Sequence, residues 1–178
     1  MHNDSREHLA YCRQIEAATI GGLILAPALL PAVRDWLDPA DFTVPHYRLW
    51  YAVVRDRYAA GLPVDQIALL GELRHRDALG PGGRHAYELA TIAELVPLPS
   101  ATAYYARMVV EESVRRQVAG AGIRLGQVAE LPDLADMLRA AADCQAVVDR
   151  ARIRWLRAQP LPDATAVAAE PTGVDACR

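Results

Sequence analysis

Between Leu134 and Trp155 the residues Leu134, Met137, Ala141, Cys144, Val148, Ala151 and Trp155 fall at alternating steps of three and four. Such a repeat keeps its apolar positions on one seam of an α-helix and does not fit the alternating faces of a strand. Upstream, Ala106, Val110, Val114, Val118, Ala121, Leu125 and Val128 make a comparable stripe along a helix expected from Ala101 to Val128. The turn Glu130-Leu131-Pro132-Asp133 between them predicts an antiparallel helical hairpin. Ala119, Gly122 and Gly126 form a second, narrow face that a partner backbone can approach. The pairs Glu111 to Arg115 and Glu112 to Arg116 stand in the favourable i,i+4 order. A hairpin of this kind has little core of its own, so it must pack on something. Packing within the chain and self-association predict the same seam equally well.

The residues before the hairpin read as short helices separated by breakers. A first helix starts after Asp4 or Ser5 and runs towards Leu25. Gly21-Gly22 inside it costs about 1 kcal/mol per glycine relative to alanine, with close approach of another element as the benefit. Pro27 stops it, and ALLPAVRDWL predicts a short second helix. Asp38-Pro39-Ala40-Asp41-Phe42 is a capped turn, with Phe42 expected to plug the bundle and His46 to bond a neighbouring turn. Pro45 suits the first turn of a helix carrying Tyr47, Trp50, Tyr51 and Tyr58, which Gly61 and Pro63 terminate. Asp65 caps QIALLGELRHRDAL, the stretch from Gly80 to Gly83 breaks the chain, RHAYELATIAEL is helical, and Ser100 is the expected N-cap of the long helix. The fold class is therefore all-α: a compact bundle over residues 5–100 followed by the hairpin over 101–157 of the same domain. Residues 158–178 read as a tail or linker stub without periodicity.

All 19 basic residues are arginine, so a phosphate-binding loop that needs lysine is excluded from these 178 residues. Net charge is −3 and the charges nearly balance up to Arg157, which disfavours strong autonomous DNA binding. No run has the roughly 18 to 20 apolar residues of a membrane span, and the polar N-terminus is unlike a secretory signal, so a soluble cytoplasmic protein is expected. Cys12, Cys144 and Cys177 and the five histidines show no metal-ligand spacing, so neither metal nor cofactor is expected. No serine lies in a nucleophile-elbow context. Arg150, Arg152, Arg154 and Arg157 are accounted for by the macrodipole of the last helix.

The order of these pieces resembles the N-terminal domain of the DnaB family of replicative DNA helicases. Ile15 to Ile24, with its Glu16 and Gly21-Gly22, looks like the family's opening helix. Asp41-Phe42 followed by His46-x-Arg48-x-Trp50, and Gly61-Leu62-Pro63-Val64-Asp65, look like its two signatures. Gly82-Gly83, Tyr87, Pro97 and Tyr104-Tyr105-Ala106 follow at fitting distances, so the resemblance runs from about Glu16 to Leu156. It implies a ring-building collar domain that pairs through its hairpin and meets primase or loading factors. The family's ATPase loop is not expected here, where lysine is missing and the chain stops near the linker.

These readings lead to a non-catalytic oligomerisation and partner-binding scaffold in DNA replication, a homodimer or higher oligomer. Its partners would be primase, helicase loader or full-length replicative helicase, with DNA met only indirectly and no membrane. The charged residues expected to face partners are Arg107, Glu111, Glu112, Arg115, Arg116 and Arg139. Those expected at the helix contacts are Val114, Val118, Gly122, Met137, Ala141 and Val148. The alternatives are a small DNA-binding regulator using Arg74, His75 and Arg76, or a remnant of a helicase gene.

Overall fold

The structure, a computed structural model, describes residues 2–130 and 132–159. Of the stretch expected as a tail from residue 158, Ala158 is instead buried in the core, and residues from 160 onward lie outside the described ones. Helix α1 spans His2–Leu25 and begins earlier than expected, because no proline or glycine interrupts the stretch before Gly21. Both glycines stay helical and admit neighbours. An ideal Cβ on Gly21 would lie 2.6 Å from the Ile92 carbonyl oxygen, and one on Gly22 would run into Thr102, 2.9 Å from its Cγ2. The close approach read from the sequence is thus made by a turn and a helix start.

After Ala26, the expected second helix splits into a 3-10 turn (Pro27–Leu29) and α2 (Leu30–Val33). Trp36 closes this segment by donating its indole N–H to the Ala32 carbonyl at 2.9 Å. Asp38 and Asp41 cap the 3-10 turn between them reciprocally: Asp38 accepts from the Ala40 N–H and Asp41 from the Asp38 N–H, both at 2.8 Å. Helix α3 (Pro45–Ala59) takes Pro45 in its first turn and buries Tyr47, Trp50, Tyr51, Val53 and Val54. It stops where Gly61 adopts φ of 66° and the Leu62 N–H returns to the Arg57 carbonyl. Asp65 caps α4 (Gln66–His75), accepting from Ala68 N–H at 2.8 Å. That helix ends before the expected Leu79, since Asp77 turns to φ of 51° and Ala78 N–H bonds back to Leu73.

Helix α5 (His85–Thr91) tightens into a 3-10 turn over Ile92–Leu95. A further 3-10 turn at Pro99–Ala101 precedes α6 (Thr102–Val128). Ser100 is therefore not the N-cap. Ala101 occupies that position without a side-chain bond, and Thr102 donates to the Pro99 carbonyl at 2.6 Å instead. Asp133 caps α7 (Leu134–Arg157) through the Asp136 N–H at 2.9 Å. Among the described residues there is no strand, and no single helix is long and apolar enough to cross a membrane.

The core lies where α1 crosses α3 and α6. Ile20, Leu23, Phe42, Trp50, Tyr51 and Val110 are among its buried members, and Leu69, Leu73, Leu89 and Ile92 close its far side. Phe42 is the plug read from the sequence. The buried Glu16 fixes the entry to α3 by accepting the Thr43 N–H at 2.7 Å, the Val44 N–H at 3.0 Å and the Thr43 hydroxyl. Those donors belong to residues just outside or at the start of a helix, where no intrahelical partner exists.

Candidate interaction surface

The hairpin leaves the bundle as a two-helix arm. Beyond Ser113 the only buried residue of α6 is Ala121, and α7 buries only Cys144 and Ala151. Cys144 and Ala151 occupy seam positions read from the repeat, and Met137, Ala141, Val148 and Trp155 are partly covered beside them. Leu134, the first seam residue, is 64% exposed, because α6 has ended opposite it. The α6 stripe is also less covered than its spacing implied, with Val118 and Leu125 open to solvent. Small residues let the two helices meet along a narrow line, and the wider side chains splay to either side.

Two grooves flank that line. One is bordered by Val118, Ala121, Gly122, Leu125, Ala141 and Val148; the other, of ≈ 510 Å³, by Arg124, Val128, Ala140, Asp143 and Val147. Four of the six expected contact residues, Val118, Gly122, Ala141 and Val148, thus line one groove. Val114 packs on the core and Met137 is half-buried elsewhere on α7. Among the described residues nothing lies within 4 Å of an ideal Cβ on Gly120, Gly122 or Gly126, in contrast to Gly21 and Gly22. Exposed Ile123, Leu125, Leu134 and Leu138 add apolar surface to the arm.

The charged residues divide. Arg115 and Arg139 are 75% and 72% exposed, with Arg139 held near Asp136 at 2.8 Å. Arg107 bonds Glu111 at 3.0 Å, and Glu111 also faces the Trp155 indole N–H at 3.5 Å. Glu112 and Arg116 are not on the exposed face expected for them. Glu112 pairs with His8 at 3.2 Å and Arg115 at 3.5 Å, while Arg116 donates to the Asp41 carbonyl. The expected pairs Glu111–Arg115 and Glu112–Arg116 are replaced by Arg107–Glu111 and Glu112–Arg115, because the bundle and the Asp41 turn draw Glu112 and Arg116 inward.

The base of the arm is fixed by a contact that sequence reasoning missed. Asp41, fully buried, accepts from Arg154 of α7 as well as from its own turn. Arg154 is thus a structural anchor as well as a cation near a helix C-terminus. Its only advance signal was the presence of both residues in the chain. Of the second basic group, Arg76 is tied to Glu72 at 2.6 Å and lies 3.8 Å from Asp56, so its charge is already partnered.

A second constellation gathers around Glu88. Glu88 receives Tyr47 OH at 2.5 Å and Arg13 at 2.7 Å on one oxygen; its other oxygen lies 3.0 Å from His46 Nε2. His85 Nδ1 is 3.6 Å from that same oxygen, and the two imidazoles stack with centroids 4.0 Å apart. Burial pushes His46 down from its ordinary value, with Glu88 opposing. Burial works to raise Glu88, but the bonds from Tyr47 and Arg13 and the nearby His46 hold it below the usual range. His46, His85 and Glu88 could hold a metal ion, and so could His8, Cys12 and Glu112. Each group joins a pair one helical turn apart, His85 with Glu88 or His8 with Cys12, to a third residue distant in the chain, which a search by ligand spacing does not find. In the second group burial and Glu112 push the Cys12 thiol upward, away from the thiolate form.

The sequence profile described as "DnaB-like helicase N terminal domain" matches residues 8–111. The chain belongs to this family. It is 31% identical over 139 residues to the replicative DNA helicase DnaB of Mycobacterium leprae, covering 75% of this chain and 23% of that protein. To the DnaB of Leifsonia xyli it is 30% identical over 113 residues, covering 64% and 24%. The crystal structure of the N-terminal domain of DnaB helicase from Mycobacterium tuberculosis superposes with a TM-score of 0.62 at 30% identity, covering 79% of this chain and 93% of that one. The matched region thus spans about a quarter of the length of these DnaB helicases and corresponds to the DnaB N-terminal domain. The residues that suggested the family, Gly21-Gly22, Asp41-Phe42, His46 and Gly61 to Asp65, lie at the closest packing, the buried cap, the start of α3 and its termination.

Proposed function

We propose that this chain is a non-catalytic scaffold in DNA replication, working in the cytoplasm, that self-associates through the α6–α7 arm. In this reading residues 5–100 form the head and 101–157 the arm of one domain. The arm presents Arg107, Glu111, Arg115 and Arg139 to primase, a helicase loader or a complete replicative helicase. Glu112 and Arg116 hold that face against the bundle from beneath. Family membership and the helicase relatives support the replication setting, and the absence of lysine supports the non-catalytic role.

The observation that carries self-association is the set of arm glycines. Each costs about 1 kcal/mol against alanine in a helix interior. Gly122 and Gly126, one turn apart on one face, have no neighbour among the described residues that a Cβ would disturb, and exposed Ile123 and Leu125 flank them. A second copy seated on this face gives the glycines a packing role. Ala141→Asp, placed in the groove lined by Val118 and Gly122, is then expected to convert an oligomer to monomer with helicity largely intact. Light scattering and far-ultraviolet circular dichroism check this, and an unchanged mass removes the arm as the interface.

Gly122→Ala separates the two roles of the glycine. It should strengthen the helix by up to about 1 kcal/mol while weakening association. Stabilisation with association unaltered would show that the glycine face is not used. Partner binding is tested by pull-down with primase and full-length helicase from the same cell, comparing wild type with Arg115→Glu/Arg139→Glu. Equal capture of both proteins would place the partner surface elsewhere.

A further inference from the structure

His46 stands in the first turn of α3, His85 opens α5, and Glu88 follows one turn later. Three separate supports hold their ligand atoms together. The Glu88 carboxylate is clamped from behind by Tyr47 OH and Arg13, both on the oxygen that faces away from the histidines. His46 is packed edge-on against Tyr47 and Trp50, and its Nε2 is buried with no hydrogen bond of acceptable geometry, although Glu88 is 3.0 Å away. His85 lies face to face with His46, their planes 20° apart. All three side chains keep a little access to solvent: 14%, 15% and 19%.

We propose that His46 Nε2, His85 Nδ1 and the Glu88 oxygen facing them form a site for a first-row divalent cation of the zinc class, with water as the fourth ligand. Bonds of about 2.0–2.2 Å in a tetrahedral site put neighbouring ligand atoms about 3.3 Å apart. The observed 3.0 and 3.6 Å from Glu88 to the two imidazoles bracket that edge. The third edge is already within 4.8 Å, and splaying the stacked rings would close it. The donor set of two imidazoles and one carboxylate suits zinc, cobalt or nickel better than magnesium or calcium, which prefer oxygen alone.

Tyr47 and Arg13 occupy the outer layer that orients a ligating carboxylate in built metal sites. Arg13 also opposes a dication by its charge, which limits affinity, but it sits on the far oxygen. An ionised carboxylate and neutral imidazoles are the forms that bind metal. His85 must release the Arg84 guanidinium, 3.1 Å from its Nε2, so that this nitrogen carries the proton when Nδ1 ligates. Arg84 is exposed and free to turn away. The bound ion would clip the start of α3 to α5. The group of His8, Cys12 and Glu112 lacks such supports: His8 is 55% exposed and the thiol is held protonated.

Tag-free, chelator-treated protein titrated with zinc chloride in a calorimeter and a thermal-unfolding instrument provides the test, with cobalt(II) absorption as the readout of donor type. One ion per chain and a raised Tm are expected, together with a cobalt spectrum lacking a thiolate charge-transfer band. His85→Ala should weaken binding at least tenfold and abolish the Tm rise, as should Glu88→Gln, whereas Cys12→Ser should leave both unchanged. Far-ultraviolet circular dichroism of His85→Ala and Glu88→Gln separates loss of the site from loss of the fold. Absence of saturable binding would overturn the proposal. So would binding that survives His85→Ala, or that disappears in Cys12→Ser.

Discussion

Asp41→Ala is expected to destabilise the protein by about 3 kcal/mol, the low end of the range for breaking a buried ion pair. The substitution removes three things at once. Arg154 loses its carboxylate partner, the Asp38 N–H loses the acceptor that completes the reciprocal cap, and a packed side chain at the head–arm junction is shortened. Arg154 keeps 27% exposure and can recruit water, which moderates the loss. The arm should loosen first, so amide exchange in the last turns of α7 should rise more than in α3. Arg154→Met leaves the fully buried carboxylate unpaired and should cost a similar amount. The double variant Asp41→Ala/Arg154→Met should cost clearly less than the sum of the single changes, since no uncompensated charge remains. Urea unfolding of the four proteins decides it. Additive losses, or a loss under about 1 kcal/mol for Asp41→Ala, would mean that the pair does not anchor the arm.

Gly21→Val carries the second large effect, an expected loss of about 3 kcal/mol from overpacking. The neighbour at 2.6 Å is the Ile92 carbonyl oxygen, part of the backbone of the 3-10 turn over Ile92–Leu95, with Val96 Cγ2 at the same distance. A flexible side chain could swing aside, but a turn that also buries Ile92 cannot move without opening the core. Gly21→Ala should lose less, because alanine restores about 1 kcal/mol of helix propensity against the same clash. The sign at Gly21 should be opposite to that at Gly122, where nothing among the described residues meets the new methyl group. Thermal unfolding of monomeric protein compares them directly. If Gly21→Ala were as stabilising as Gly122→Ala, the close approach to Ile92 would be wrong.

Local chemistry was legible in advance wherever neighbours in the chain supply it. Pro45 in the first turn of α3, Gly61 at its end, Asp65 and Asp133 as caps, and the Asp38–Asp41 turn all depend on groups within a few residues. The expected boundaries failed where competing local choices were nearly equal. Ser100 and Thr102 both offer a hydroxyl, and the chain inserted a 3-10 turn that made Thr102 the one to bond Pro99. The proline pair Pro27 and Pro31 divided a stretch that periodicity read as one helix.

Pairing between distant residues behaved differently. Glu111 and Glu112 were assigned to Arg115 and Arg116 by helical spacing, which ignores the bundle beneath. Asp41 takes Arg116 on its backbone and Arg154 on its carboxylate, and His8 approaches Glu112 from α1. The same reason hid the cluster around Glu88, whose four partners come from α1, α3 and α5.

The amino-acid order by itself determined that this chain is helical, where most of its helices stop, and which family it resembles. Those properties follow from periodicity, caps and breakers that act over one or two turns. Only the tertiary structure decided which charges are spent inside the protein and which glycines have a neighbour to admit. It also decided that Glu88 gathers two histidines, a tyrosine and an arginine. Partners on different helices are chosen by distance in space after those helices have packed, and no spacing along the chain encodes that distance.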